Sequence, residues 1–203
     1  RGLCGAFNSN IIKYTVNYLN TIGKDTALVT IGKKGYDFFN KRKYNVIKNY
    51  PTVFHNLNIQ TSNEIVSYLK ELYLSGGYDY IEIIYNEFKS VIKQNIVTDT
   101  FLPFKKNAAD DKKSKNIDFI FEPDSKNILL SLIPKELDIQ FWKALLESNA
   151  SEQGARMTAM ETASHNASDL IKSLNLSYNR ARQESITKEL LEIVSGAEAL
   201  TKG

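Results

Sequence analysis

The side chains that could do bond chemistry are few and widely separated. The opening run Gly2-Leu3-Cys4-Gly5-Ala6-Phe7-Asn8 has the makings of a glycine-rich turn at a helix N-terminus, where backbone N–H groups and the helix dipole can hold a phosphate. It lacks the third glycine of the dinucleotide fingerprint and the Gly-Lys-Ser/Thr ending of a phosphate loop, so it reads as a turn from strand into helix. Cys4 is the single cysteine, which excludes an internal disulfide and a cysteine-rich zinc site. No pattern sets a base and an orienting group beside it, as a nucleophile needs, so a small buried residue is expected there. His55 and His165 stand apart from any cluster at ligand spacing, and no metal site is expected. Asp110 and Asp111 lie in a polar stretch and should be solvated; Lys41-Arg42-Lys43 is a short basic run of the kind that ends a helix in water. No catalytic constellation and no cofactor emerges.

The elements around these residues are better defined than any chemistry. With 203 residues, 42% hydrophobic and 24% charged, the chain can bury the core of one domain plus an appendage. A net charge of +3 is too slight to imply a nucleic-acid surface. No run of about 18 apolar residues occurs, and the first residues have neither the basic start nor the apolar core of a signal peptide. All four prolines (Pro51, Pro103, Pro123, Pro134) lie in the first two thirds, with seven of ten glycines. Residues 1–133 carry 18 basic and 13 acidic side chains, and residues 134–203 carry 8 and 10, so the charge splits where the composition does.

Within 1–133, strand-length apolar runs alternate with helix-period segments, which argues for a three-layer α/β domain around a mostly parallel sheet. A helix capped by Asn8 or Ser9 runs to about residues 19–22; 26–31 is a strand, 34–41 a short helix and 44–50 a second strand. Thr61 or Ser62 caps a helix through Tyr73, and 80–85 (YIEIIY), 91–104 and 117–121 (IDFIF) read as further strands. Residues 105–116 hold no apolar side chain larger than Ala and should form a mobile loop.

In 134–203 the residues Leu146, Ala150, Gln153, Met157, Met160, Ser164, Ala167, Ile171, Leu174, Tyr178 and Ala181 follow alternating steps of 4 and 3, the seam of a coiled coil. It resumes out of phase at Ile186, Leu190, Ile193, Ala197 and Leu200, so the tip should face another direction or partner. A helix of about 60 residues is roughly 90 Å long, far more than a domain of this size can cover. It needs a partner helix that no other segment supplies. Small seam residues bury little apolar area and allow close backbone approach, which fits a helix that sits inside something and moves there.

The stretches Ser151-Glu152-Gln153-Gly154-Ala155-Arg156-Met157-Thr158-Ala159-Met160, Asn166-Ala167, Tyr178-Asn179-Arg180-Ala181-Arg182-Gln183 and 186–200 (ITKELLEIVSGAEAL) resemble the C-terminal helix of the gamma subunit of F-type ATP synthases. RGLCGAFN resembles the turn after the first strand of that subunit's Rossmann-like domain, and IDFIFEPD its strand entering the final helices. The resemblance implies a Rossmann-like domain over 1–133, the foot, and a long C-terminal helix over 134–203, the shaft, in an antiparallel coiled coil with an N-terminal helix that these residues do not contain. It implies that the natural beginning of the protein is missing, with most of its first strand.

What the resemblance implies for function is a non-catalytic rotor shaft. The terminal helices run up the bore of the alpha and beta subunits, while the foot stands on the membrane-embedded c-subunit ring and binds the epsilon subunit. Proton flow turns the shaft, whose asymmetry shifts each catalytic site between conformations. By position in the motif, Arg182, Gln183, Thr187 and Glu189 would contact the catalytic head, and Phe119 and Glu122 the membrane ring. No cofactor, metal, nucleic acid or small-molecule substrate is implied, and the place would be peripheral on an energy-transducing membrane, at the cytoplasmic face in a bacterium. Two readings of other classes stay open: a Rossmann-type nucleotide-binding enzyme, against which stands the missing acid after the strand at 26–31 (Gly32-Lys33-Lys34 follows instead), and a generic coiled-coil adaptor, which explains neither the small seam residues nor the phase shift.

Overall fold

The computed structural model describes residues 2–23, 26–104, 122 and 124–201, in two compact units, Arg1–Thr158 and Ala159–Gly203. The first unit opens with helix α1 (Phe7–Ile22), strand β1 (Leu28–Ile31), helix α2 (Lys33–Lys41) and strand β2 (Val46–Tyr50). Gly32, at φ 102°, turns β1 into α2 with a backbone that disfavours a side chain. β1 and β2 pair in parallel across this helix, as a βαβ crossover requires.

A single 3₁₀ turn (Val53–His55) leads to helix α3 (Ile59–Leu74), which buries Ser62, Ile65, Val66 and Leu69, the face defined by steps of three and four. The cap of α3 is Asn58, whose side-chain oxygen accepts from the Gln60 N–H at 3.1 Å, and not Thr61 or Ser62; the helix starts earlier because Ser62 is wholly buried. α1 likewise starts from Ala6, with no side-chain cap from Asn8 or Ser9.

Strands β3 (Ile81–Phe88) and β4 (Gln94–Leu102) form an antiparallel pair. The expected mostly parallel sheet is therefore half antiparallel among the described residues, and the two strand pairs share no hydrogen-bonded neighbours. The reason is the connection: residues 89–93 are too few for the crossover that a parallel pair needs. The strand at 117–121 and the loop at 105–116 lie outside the described residues.

The chain ends in helix α4 (Ser125–Thr201). Asp124 opens it, its side-chain oxygen accepting from the Asn127 N–H at 3.0 Å. Pro134 lies inside the helix, with the carbonyl it would leave unpaired belonging to Leu130, an exposed residue where water can serve as donor. Lys70 Nζ holds this turn from α3, donating to Asp138 Oδ1 at 2.9 Å and to the Pro134 carbonyl at 3.4 Å. Leu137, Phe141 and Leu145 join Val53, Ile65, Val66, Leu69, Phe101 and Leu102 in one core, where the Phe101 and Phe141 rings lie 6.0 Å apart. In the second unit α4 is the only described element, and from Met160 on every described side chain is exposed.

Candidate partner-binding surface

The residues with chemical potential are structural. Cys4 is buried and its sulfur accepts from Asn8 Nδ2 at 3.3 Å, inside a turn where Leu3 and Gly5 have φ of 69° and 55°. His55 is exposed; His165 Nδ1 sits 3.2 Å from Asp169 Oδ2, one turn along the surface of α4. Among the described residues no three His, Cys, Asp or Glu side chains could hold a metal ion. Lys41-Arg42-Lys43 ends α2, with the Arg42 guanidinium 3.7 Å from the centre of the Phe38 ring. The perturbed phenols are ties between elements. Tyr18 OH donates to Glu82 Oε2 at 2.6 Å, and that bond, with burial, pushes its pKa up to about 12. Burial and donation to Asp99 Oδ2 at 2.9 Å raise Tyr85 as well.

What remains for function is surface, and most of it is on α4. In the first unit this helix has two faces. Leu137, Phe141, Ala144, Leu145, Ser151 and Gly154 are buried, while Leu146, Ala150, Gln153 and Met157, one position over, are exposed. The exposed face is the first stretch of the coiled-coil seam. In the second unit the seam residues Ile171, Leu174, Tyr178, Ile186, Leu190 and Ile193 are exposed too, with Leu174 at 59%. Nothing among the described residues covers this stripe, which is longer than the apolar patches a surface helix normally leaves in water.

Arg182, Gln183, Thr187 and Glu189 are all exposed on α4 in the second unit and make no side-chain hydrogen bond or ion pair with the described residues. Their neighbour Arg180 does, with Nε 3.4 Å from Glu184 Oε1. Arg182 and Glu189 are two turns apart on nearly one side, and Gln183 and Thr187 one turn apart, so the four line neighbouring strips of an open polar surface. Glu122 is exposed in the first unit; Phe119 lies outside the described residues.

Two features escaped the sequence. The buried stripe of α4 lies beside the seam at helical spacing, and its run Leu137, Phe141, Leu145, in steps of four, was the available signal. The other feature is a cavity of about 800 Å³ lined by β1, β3, α1 and the domain-facing side of α4, including Val29, Ile31, Ile83, Tyr85 and Phe141. β1 and β3 each pair on one side only among the described residues, so both present an unpaired edge. The Asn86 side-chain amide, 3% exposed and lining the cavity, has no acceptor there.

The α/β domain of the first unit buries one face of α4 and leaves the adjacent seam residues exposed, and in the second unit the described side chains of α4 are exposed from Met160 on. The ATP synthase family model matches residues 1–200. The ATP synthase gamma chain of Chloroherpeton thalassium is 46% identical over 215 residues, which take in 98% of this chain and 71% of the relative. That of Prosthecochloris aestuarii is 48% identical over 207 residues, covering 98% and 70%. Among solved structures, a chain from the central stalk and c-ring of Tetrahymena thermophila mitochondrial ATP synthase matches with a TM-score of 0.62 at 26% identity, over 81% of this chain and 72% of that one. A chain of the Euglena gracilis mitochondrial ATP synthase shares the fold, with a TM-score of 0.69 at 22% identity over 98% and 69%. The chain belongs to the ATP synthase gamma-chain family. Among the described residues no helix is long and apolar enough to cross a membrane.

Proposed function

We propose that this chain is the non-catalytic central rotor shaft of an F-type ATP synthase, coupling transmembrane proton flow to ATP synthesis by turning inside the catalytic head. The observation that carries this is the bare seam of α4. A stripe mixing Ala, Ser and Gln with Met, Ile and Leu, exposed from Leu146 to Leu200, calls for helical or ring-shaped cover that touches it closely but grips it weakly. The first cover is an antiparallel N-terminal helix. The strand leading from that helix fits the cavity between β1 and β3, where a further strand would join the two separate pairs and supply carbonyls to Asn86. The second cover is the bore of the alpha and beta subunits.

In that bore Arg182, Gln183, Thr187 and Glu189 meet the head. With little bulk water each polar group needs a partner, and a charge-assisted hydrogen bond contributes about 1.5–3 kcal/mol, enough to bias one catalytic conformation over another. The α/β domain is the foot: it binds the epsilon subunit and stands on the c-subunit ring through Phe119 and Glu122. This places the chain peripherally on an energy-transducing membrane. No specific observation favours an enzyme or a generic adaptor.

The test is substitution in the assembled complex. Arg182→Ala and Gln183→Ala should each lower ATP turnover and proton coupling without dissolving the complex. Wild-type turnover and coupling in both would remove the polar contacts from the site and leave the shaft a purely steric cam.

A further inference from the structure

The tip of the β3–β4 hairpin lies directly on α4, at the end of the first unit. Ser151 Oγ, wholly buried, donates to the Asn86 carbonyl at 3.1 Å. One turn on, Gly154 is close-packed: a Cβ there would sit 3.4 Å from the Phe88 ring and from the Val91 Cα and carbonyl oxygen, in contact already and with little space for further branches. A further turn on, Thr158 Oγ1 lies 3.3 Å from the Val91 carbonyl and 3.2 Å from that of Gly154. The tip is itself braced. Ser90 and Lys93 exchange backbone hydrogen bonds at 3.0 and 3.2 Å, and Gln94 Nε2 donates to the Val91 carbonyl at 2.7 Å. Behind it, eight registered residue pairs make the hairpin a stiff arm.

We propose that this contact is a torsional latch: through Ser151, Gly154 and Thr158 the α/β domain holds the rotational setting of α4 and passes torque into it. The proposal rests on the rotor reading. The two parts of the domain's grip differ in kind. Leu137, Phe141 and Leu145 give apolar burial, with one directional tie from Lys70 to Asp138 and the Pro134 carbonyl well upstream of Ser151. The latch contacts are directional: the Ser151 and Thr158 hydroxyls meet hairpin carbonyls and Gly154 packs against the Phe88 ring and the Val91 backbone, where bent hydrogen bonds and close contact oppose rotation at once. They also occupy the last turns of the first unit, which ends at Thr158. They are the last contacts of the first unit on α4, so they set the angle of the helix where it leaves the domain.

Two measurements on the assembled synthase test this, in a Cys4→Ala background. Gly154→Val forces a branched side chain against a braced backbone and should open the latch, seen as faster amide exchange at residues 88–93. Overpacking on this scale shifts a seated contact by about fivefold or more, and ATP-driven proton pumping should fall by about that factor relative to ATP hydrolysis. Conversely, Val91→Cys with Gly154→Cys sets a new Cβ within 3.4 Å of the Val91 Cα, within disulfide reach. Oxidation should lock the latch and restore the wild-type ratio of pumping to hydrolysis, with the reduced form impaired. Wild-type coupling in Gly154→Val, whatever its amides do, overturns the proposal, as does a cross-linked enzyme that stops turning over while its reduced form works. Failure of the rotor reading would show separately, as a wild-type chain that does not assemble with a catalytic head.

Discussion

Phe141→Ala is the sharpest test of which face of α4 belongs to the domain. Phe141 is 2% exposed, its ring centre 6.0 Å from that of the fully buried Phe101, in the cluster that joins α4 to α3 and β4. Truncating a buried Phe to Ala costs about 3–5 kcal/mol, combining lost transfer energy with the cavity left behind. The upper part of that range applies here. Loss of the Phe101 partner adds to it, and the site cannot collapse easily between a helix and a braced hairpin. With a urea slope of about 2 kcal/mol per molar, the midpoint should fall by about 2–2.5 M. The readout is built in, because Trp142 is the only tryptophan and packs partly against this core, so its fluorescence reports the release of α4. Leu174→Ala is the matched control on the bare seam. At 59% exposure it should change the stability of the isolated chain by no more than about 0.5 kcal/mol. A loss below about 1 kcal/mol for Phe141→Ala would mean that the domain does not grip the helix through this stripe. An equal loss for Leu174→Ala would mean that the seam is already covered without any partner.

Two further outcomes follow from the ties and from the missing chemistry. The folded-state pKa of Tyr18 is raised, so its bond to Glu82 contributes fully below the unfolded value near 10 and is lost as pH rises through about 12; stability should be flat from neutral pH to about 10, fall above it, and fall less steeply in Tyr18→Phe when followed by alkaline denaturation. The purified chain should bind ATP no more tightly than millimolar in equilibrium dialysis, since the turn at Gly2–Gly5 supplies no phosphate-loop lysine or hydroxyl; stoichiometric tight binding would defeat the non-catalytic reading.

The seam is a periodicity that can be read without any knowledge of the partner, and its first stretch, Leu146, Ala150, Gln153 and Met157, is exposed beside a buried stripe. Cys4 was legible as a buried residue because nothing near it could activate a thiol. Helix starts were not. Asn58 outcompeted Thr61 and Ser62 because tertiary packing buried Ser62, a fact that no local pattern holds. The antiparallel pairing of β3 with β4 could have been read from their short connection, yet apolar runs alternating with helices in the rest of the domain imposed a parallel expectation on it. Pro134 looked like a boundary and lies inside α4, four residues after the exposed Leu130, where water can replace the bond that proline cannot make. The cavity and the latch could not be read at all, since both depend on backbone edges and on the space a glycine leaves.

The order of side chains along α4 gives these features a single physical sense. The domain-facing stripe begins with Leu137, Phe141 and Leu145, which bury area and hold the helix on; it continues with Ser151, Gly154 and Thr158, which bury little and fix an angle. The opposite stripe keeps small and polar residues among its apolar ones, so that a covering surface can approach closely without a deep well to hold it. Adhesion to the domain, angular setting and low-friction cover make different demands on residue size. A helix with only large apolar residues would meet the first demand and fail the others, because interdigitated side chains resist sliding as well as separation. Gly154 is the position where these demands meet most tightly: the hairpin lies so close that a Cβ would already touch it at 3.4 Å, while the adjacent Gln153 and Met157 stand exposed.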